Sequence, residues 1–158
     1  MLDFHTHNLE APMPAIIYIP KQWLLRPHDA QLRQEATYSV GIHPWWTCGD
    51  DVALLLEQLA HWASHPQVVA IGECGFDKLQ GAALDVQQEV FETHVQLSEQ
   101  LRKPLTIHCV KAFEELLAVK KQYRPKQQWT IHGFRGKATQ ARQLLDAGLN
   151  LSFGYRHN

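Results

Sequence analysis

Two kinds of segment alternate along this chain, and that alternation restricts its fold more than any other feature. Seven short runs rich in β-branched and aromatic residues read as strands. They are LDFHTH (2–7), AIIYIP (15–20), TYSVGIH (37–43), VVAIGE (68–73), PLTIH (104–108), QWTIH (128–132) and NLSFG (150–154). Several are too continuously apolar to keep one face in water, which suits a parallel sheet covered on both sides. Between them lie helical stripes, one through Leu55, Leu59 and Trp62 and another through Val90, His94, Leu97 and Leu101. Further helices are expected over 111–122 and over 138–147, the latter stopping at Gly148, a residue suited to ending a helix. The link between the second and third runs has room for at most a turn or two around 28–35. His94 falls on a buried stripe and therefore reads as a core histidine, not a ligand.

Repeated strand–helix–strand units imply parallel strands joined by right-handed crossovers. A doubly wound open sheet would bind phosphate through a glycine-rich turn after its first strand, but here that turn reads HTHNLEAP and holds no glycine. A TIM-type β/α barrel fits better. It would be incomplete, with about seven strands in a single domain over 1–158, where barrels have eight strands and typically ~250 residues.

Composition narrows the setting. At 45% hydrophobic the chain can bury a core, and no run approaches the roughly 20 apolar residues of a membrane span. Asp3, His5, His7 and Glu10 interrupt any apolar leader. Three cysteines (Cys48, Cys74, Cys109) make no disulfide framework, so a cytoplasmic location is expected. Net charge is −1 but uneven: residues 1–101 carry −9 and residues 102–158 carry +8. Solvated helix faces such as Lys120, Lys121 and Arg124 account for the positive part, and a positive surface for an anionic substrate is the sharper alternative.

In a barrel, chemistry gathers where strands end. His5 and His7 end the first run, two apart and so on one face, within reach of one ion. His43 ends the third (GIHPWW), Glu73 the fourth (AIGECGFD), His108 the fifth (PLTIHC) and His132 the sixth (WTIHGF). Taken singly, each histidine is weak evidence. Glu73 is stronger, because a carboxylate directly behind Val-Val-Ala-Ile-Gly sits at the rim of a core, where an unpaired charge is costly. Imidazoles and a carboxylate gathered at one mouth need a shared partner, and a divalent cation supplies it. The donor set suits Zn, Mn, Fe or Ni. Cys74 and Cys109 each follow a proposed ligand and should face away, as small buried hydrophobes.

With HTH, GIHP, GECGFDK, IHC and HGF–G assembled, the chain resembles the TatD-type metal-dependent hydrolases, a DNase family, and is most similar to its compact branch. The resemblance runs from DFHTH through QQEVFETHVQLSEQL and KPLTIHCVKAFEELL to LSFG. It implies a β/α barrel with a two-metal centre that hydrolyses phosphodiester bonds in DNA, using divalent ions such as Zn, Mn, Mg, Fe or Ni. His5 and His7 match the pair on the first ion, Glu73 the catalytic, bridging carboxylate, and His108 and His132 the ligands of the second. His43 and Arg135 are the candidate substrate contacts, and no membrane partner is implied.

Two departures from the family pattern stand out. Val110, then Lys111, occupy the place where many members carry an arginine two residues past the fifth-strand histidine; Lys111 and Arg135 are the cations at hand. The family also has a further strand after LSFG ending in Thr-Asp, whereas this chain stops at Asn158. A fragment, a natural truncation with impaired hydrolysis, and an oligomer that closes the gap are all compatible with this, truncation of an ancestral hydrolase being the favoured expectation. Asp77 and Asp3 are expected to support the site through hydrogen bonds instead of replacing the missing aspartate. A catalytically impaired metal-binding or partner-binding module, and a hydrolase of small esters or amides, are the alternative functions.

Overall fold

The computed structural model describes residues 3–153, and the side chains from His5 onward. Seven strands form one sheet in sequence order, every neighbouring pair parallel. They are β1 (Asp3–Thr6), β2 (Ala15–Tyr18), β3 (Thr37–Val40), β4 (Val68–Asp77), β5 (Leu105–Val110), β6 (Trp129–Ile131) and β7 (Asn150–Leu151). The helices are α1 (Lys21–Leu25), α2 (Val52–Ala63), α3 (Leu84–Leu101), α4 (Phe113–Tyr123) and α5 (Ala138–Asp146). This is an incomplete β/α barrel: among the described residues no pairing joins β7 to β1. The sheet nevertheless curls far enough that the His5 ring at the end of β1 lies 4.5 Å from the His132 ring beyond β6.

The core lies between the sheet and its helices. Leu55, Leu59 and Trp62 of α2, Val90, Phe91 and Val95 of α3, and Leu116 and Val119 of α4 are buried against it. Phe91 packs on Phe76 of β4 and edge-on to Trp129 of β6, with centroids 5.2 and 5.4 Å apart. Each fully buried aromatic side chain of this kind contributes on the order of 2–3 kcal/mol of transfer free energy.

Several boundaries differ from expectation. The short helix of the second link lies at 21–25, followed by a 3-10 turn at 27–29, so it precedes the expected 28–35 window. Pro20 and Pro27 bracket that helix, and Trp23 and Leu24 are its buried residues. β3 stops at Val40 instead of reaching His43, because the Ile42 N–H is taken by the His94 ring and His43 opens a 3-10 turn. β4 continues to Asp77 instead of ending at Glu73. The expected strand 150–154 is seen over 150–151; Gly154 is outside the described residues.

Among the described residues no helix is long and apolar enough to cross a membrane. A groove of about 600 Å³ between α4 and α5, lined in part by Leu117, Lys120, Lys121 and Arg124, gathers part of the positive charge of the later chain. It shares no residue with the mouth where the strands end.

Candidate metal centre

All strands are parallel, so their C-terminal ends open on one mouth. Glu73 stands at its centre. Its strand is interrupted there: three residues of β4, from Ile71 to Cys74, span what two residues of β5 span, from Leu105 to Ile107. Such a bulge bends the strand and re-aims a side chain. Glycine is required on both sides of it. Gly72 (φ 134°) and Gly75 (φ 141°) occupy backbone conformations disfavoured for other residues, and a Cβ on either would meet a β5 carbonyl oxygen at 2.2 Å.

Around the Glu73 carboxylate, four imidazoles converge. His5 Nε2, His7 Nε2 and His43 Nε2 lie 3.3, 3.6 and 3.7 Å from Oε1, and His108 Nδ1 lies 3.4 Å from Oε2. Glu73 is 4% exposed, so its charge cannot be carried by water. Burial alone would raise its pKa, but hydrogen bonds from His108, His5 and His7 hold it well below the usual carboxylate range. Two donor sets result, His5–His7–Glu73 and His43–Glu73–His108, each with its ligand atoms within 4.8 Å of one another. Two atoms each about 2.1 Å from one ion stand roughly 3.4 Å apart in a tetrahedral site. The separations from Glu73 match that span, so the donor set fits a divalent ion in both chemistry and spacing.

Asp77 lies four positions beyond Glu73 on the same strand and therefore on the same face. Its Oδ2 accepts from His108 Nε2 at 2.9 Å and from the Trp45 indole N–H at 2.7 Å, while Oδ1 accepts from the Leu79 N–H. Burial raises the Asp77 pKa, and the bonds from Trp45 and His108 more than offset this, so it is lowered overall. The His108 proton is thereby drawn to Nε2, leaving Nδ1 as the ligand atom facing Glu73. This is the carboxylate–histidine pairing that orients metal ligands elsewhere.

His43 differs. Its Nδ1 accepts the Trp45 backbone N–H at 3.2 Å, which places the proton of the neutral ring on Nε2. It thus presents a donor to the mouth, as a substrate contact would. His132 stands beside His5, with Nδ1 3.5 Å from the Ser152 hydroxyl, and belongs to neither donor set among the described residues. Arg135 is exposed on the loop after β6, and Lys111 is exposed just past β5 at φ 56°. Cys74 is buried with its thiol toward the Thr106 carbonyl, and Cys109 packs against the core; burial pushes both up, Cys109 to about 12. The side chain of Asp3 lies outside the described part of the structure.

Sequence reasoning ended the fourth strand at Glu73, before Asp77, and did not single out Trp45 or Tyr18. Extending the strand alternation past Glu73 would have put Asp77 on the ligand face. Tyr18 carried no comparable signal: its hydroxyl donates to the carbonyls of Gly41 and Glu73 from the buried end of β2, clamping β3 to β4.

The fold is an incomplete β/α barrel with imidazoles and a carboxylate gathered at its mouth, and residues 27–157 match the family described as TatD related DNase. The chain belongs to that family. It is 35% identical over 129 residues to the 3'-5' ssDNA/RNA exonuclease TatD of Pantoea ananatis, covering 77% of this chain and 48% of that one. To an uncharacterized metal-dependent hydrolase TatD of Mycobacterium tuberculosis it is 33% identical over 138 residues, covering 83% of this chain and 51% of that one. The chain therefore spans about half the length of these curated relatives. The crystal structure of YJJV, a TatD homolog from Escherichia coli, superposes with a TM-score of 0.71 at 21% identity, covering 95% of this chain and 66% of that one.

Proposed function

We propose that the chain is a metal-dependent hydrolase that cleaves phosphodiester bonds, acting as a deoxyribonuclease through a two-metal centre. One observation carries the proposal: four imidazole nitrogens stand 3.3–3.7 Å from a single buried carboxylate, Glu73. The relatives' names point to single-stranded DNA or RNA as substrate. In this reading His5, His7, Glu73, His108 and His132 would hold the ions, with Glu73 common to both. When bound, divalent ions would supply the charge that polarises a phosphodiester and makes water nucleophilic near neutral pH.

The chain's own residues then have distinct tasks. Glu73 would supply a buried negative charge to offset the cations. Asp77 keeps the His108 proton on Nε2. His43 donates from Nε2 to a phosphate oxygen, and Arg135 adds a cation at the rim. Three thiols without a disulfide suit a reducing, cytoplasmic setting.

Elemental analysis and calorimetric titration, alongside hydrolysis of single-stranded DNA, RNA, aryl phosphates and amides with added manganese or magnesium, test the proposal. Two ions per chain and metal-dependent cleavage of nucleic acid are expected, both lost in Glu73→Ala. Full metal content and activity in that variant would refute the site. One tight ion with no turnover would make the chain a metal-binding module instead.

A further inference from the structure

Trp45 and Trp46 are adjacent in sequence but differ in surroundings. Trp46 is half-buried and stacks on Tyr18, with centroids 5.7 Å apart and planes within 3°. Trp45 is 46% exposed, although its ring stands at the mouth 4.7 Å from the His43 ring and 5.8 Å from the His108 ring. An indole left this open gives up apolar burial that its neighbour obtains.

The ring is also held. Its N–H is bonded to Asp77 Oδ2 and its backbone N–H to His43 Nδ1, so the polar edge is satisfied while the apolar body remains open. A ring already fixed at both points loses little conformational entropy when a ligand covers it. Leu79, 66% exposed, is tied by its N–H to the same aspartate.

Charge supplies an independent reason. Residues 1–101, which include β1 to β4 and the loop of Trp45, carry −9. A nucleic-acid backbone finds little attraction on such a surface. Contacts that do not depend on phosphate charge add to the affinity, and base stacking on an aromatic ring is one that tolerates any sequence.

We propose that Trp45 is the stacking platform for a terminal base of a single-stranded nucleic acid whose phosphodiester lies at Glu73. The proposal rests on the nuclease reading and adds a specificity-determining residue to it. It explains why an apolar ring stands open within 6 Å of two site histidines, and why its N–H is fixed. A base in place sets the register of the chain end relative to the reacting phosphate.

The test compares oligonucleotides ending in a normal nucleotide or in an abasic sugar, with KM and kcat measured for wild type, W45F and W45A. In wild type the abasic end should raise KM about tenfold, the size of one base–aromatic stack. W45F keeps a ring but loses the N–H to Asp77, so its KM ratio should stay several-fold while kcat falls. W45A should bring the KM ratio close to one. A ratio in W45A equal to that of wild type overturns the proposal, as does a ratio near one in wild type itself. Equilibrium binding of the same two labelled oligonucleotides reads the ratio without turnover. A Trp45-dependent ratio in binding, with no cleavage by wild type, would defeat the nuclease reading and leave the stacking platform standing.

Discussion

Two histidines, one buried behind the sheet and one half-buried at its mouth, show how surroundings decide what an imidazole does. His94 sits where α3 packs on the end of β3, fully buried. Its Nδ1 donates to the Val90 carbonyl at 2.8 Å and its Nε2 accepts from the Ile42 N–H at 2.8 Å. Burial takes its pKa down to about 4, so it is a neutral structural bridge. His108 at the mouth is also largely removed from water, but it lies between Glu73 and Asp77. Burial lowers its pKa, and hydrogen bonds to those two carboxylates outweigh this and raise it overall. The first environment uses up both ring nitrogens on backbone groups. The second aims one nitrogen at a shared carboxylate and so leaves a position that a cation can fill.

Breaking the mouth should have the largest effect. Glu73→Ala removes the one ligand common to both donor sets, and metal content measured by elemental analysis should drop to background, with activity following. Asp77→Ala leaves every ligand in place but frees the His108 ring. Metal affinity by competition with a chelator should weaken about 10- to 100-fold, as for other partners that orient ligands. A result as severe as Glu73→Ala would make Asp77 a ligand in its own right.

The histidine behind the sheet gives a different signature, in stability rather than metal. His94 is neutral in the native protein down to about pH 4, whereas the unfolded chain takes up a proton near 6.5. Its contribution is therefore fully present above pH 6.5 and is lost as pH falls from there to about 4. The full loss amounts to about 3 kcal/mol. His43, drawn down to about 4 mainly by burial, contributes in the same direction in metal-free protein. Urea unfolding of metal-free His94→Gln against wild type should show a flatter profile between pH 6.5 and 4. Equal slopes would remove His94 from the account. At the small end, Cys48→Ser, at an exposed free thiol, should change unfolding free energy by less than about 0.5 kcal/mol and leave metal content unchanged.

Much of this was legible before the fold was seen. The period-two spacing of His5 and His7 put both rings on one face, and both meet Glu73 Oε1. Glu73 after an apolar run announced a buried charge in need of partners, and His94 on a helical stripe announced a core residue. The bulge at Gly72–Glu73 was not legible, because it depends on how β4 registers against β5. The supporting role of Asp77 was expected, but its partners, and the place of Trp45, were hidden for a related reason. Asp77 is 31 and 32 positions from the two side chains it joins, and sequence periodicity carries no information across such gaps.

The order of strands and helices, the apolar faces and the residue types of the candidate ligands were determined by sequence alone, since period and residue chemistry are local properties. Only the tertiary structure decided which nitrogen of each imidazole faces the carboxylate, and which of two adjacent tryptophans stays open. Those outcomes depend on hydrogen bonds between segments that become neighbours only when parallel strands align and the sheet curls.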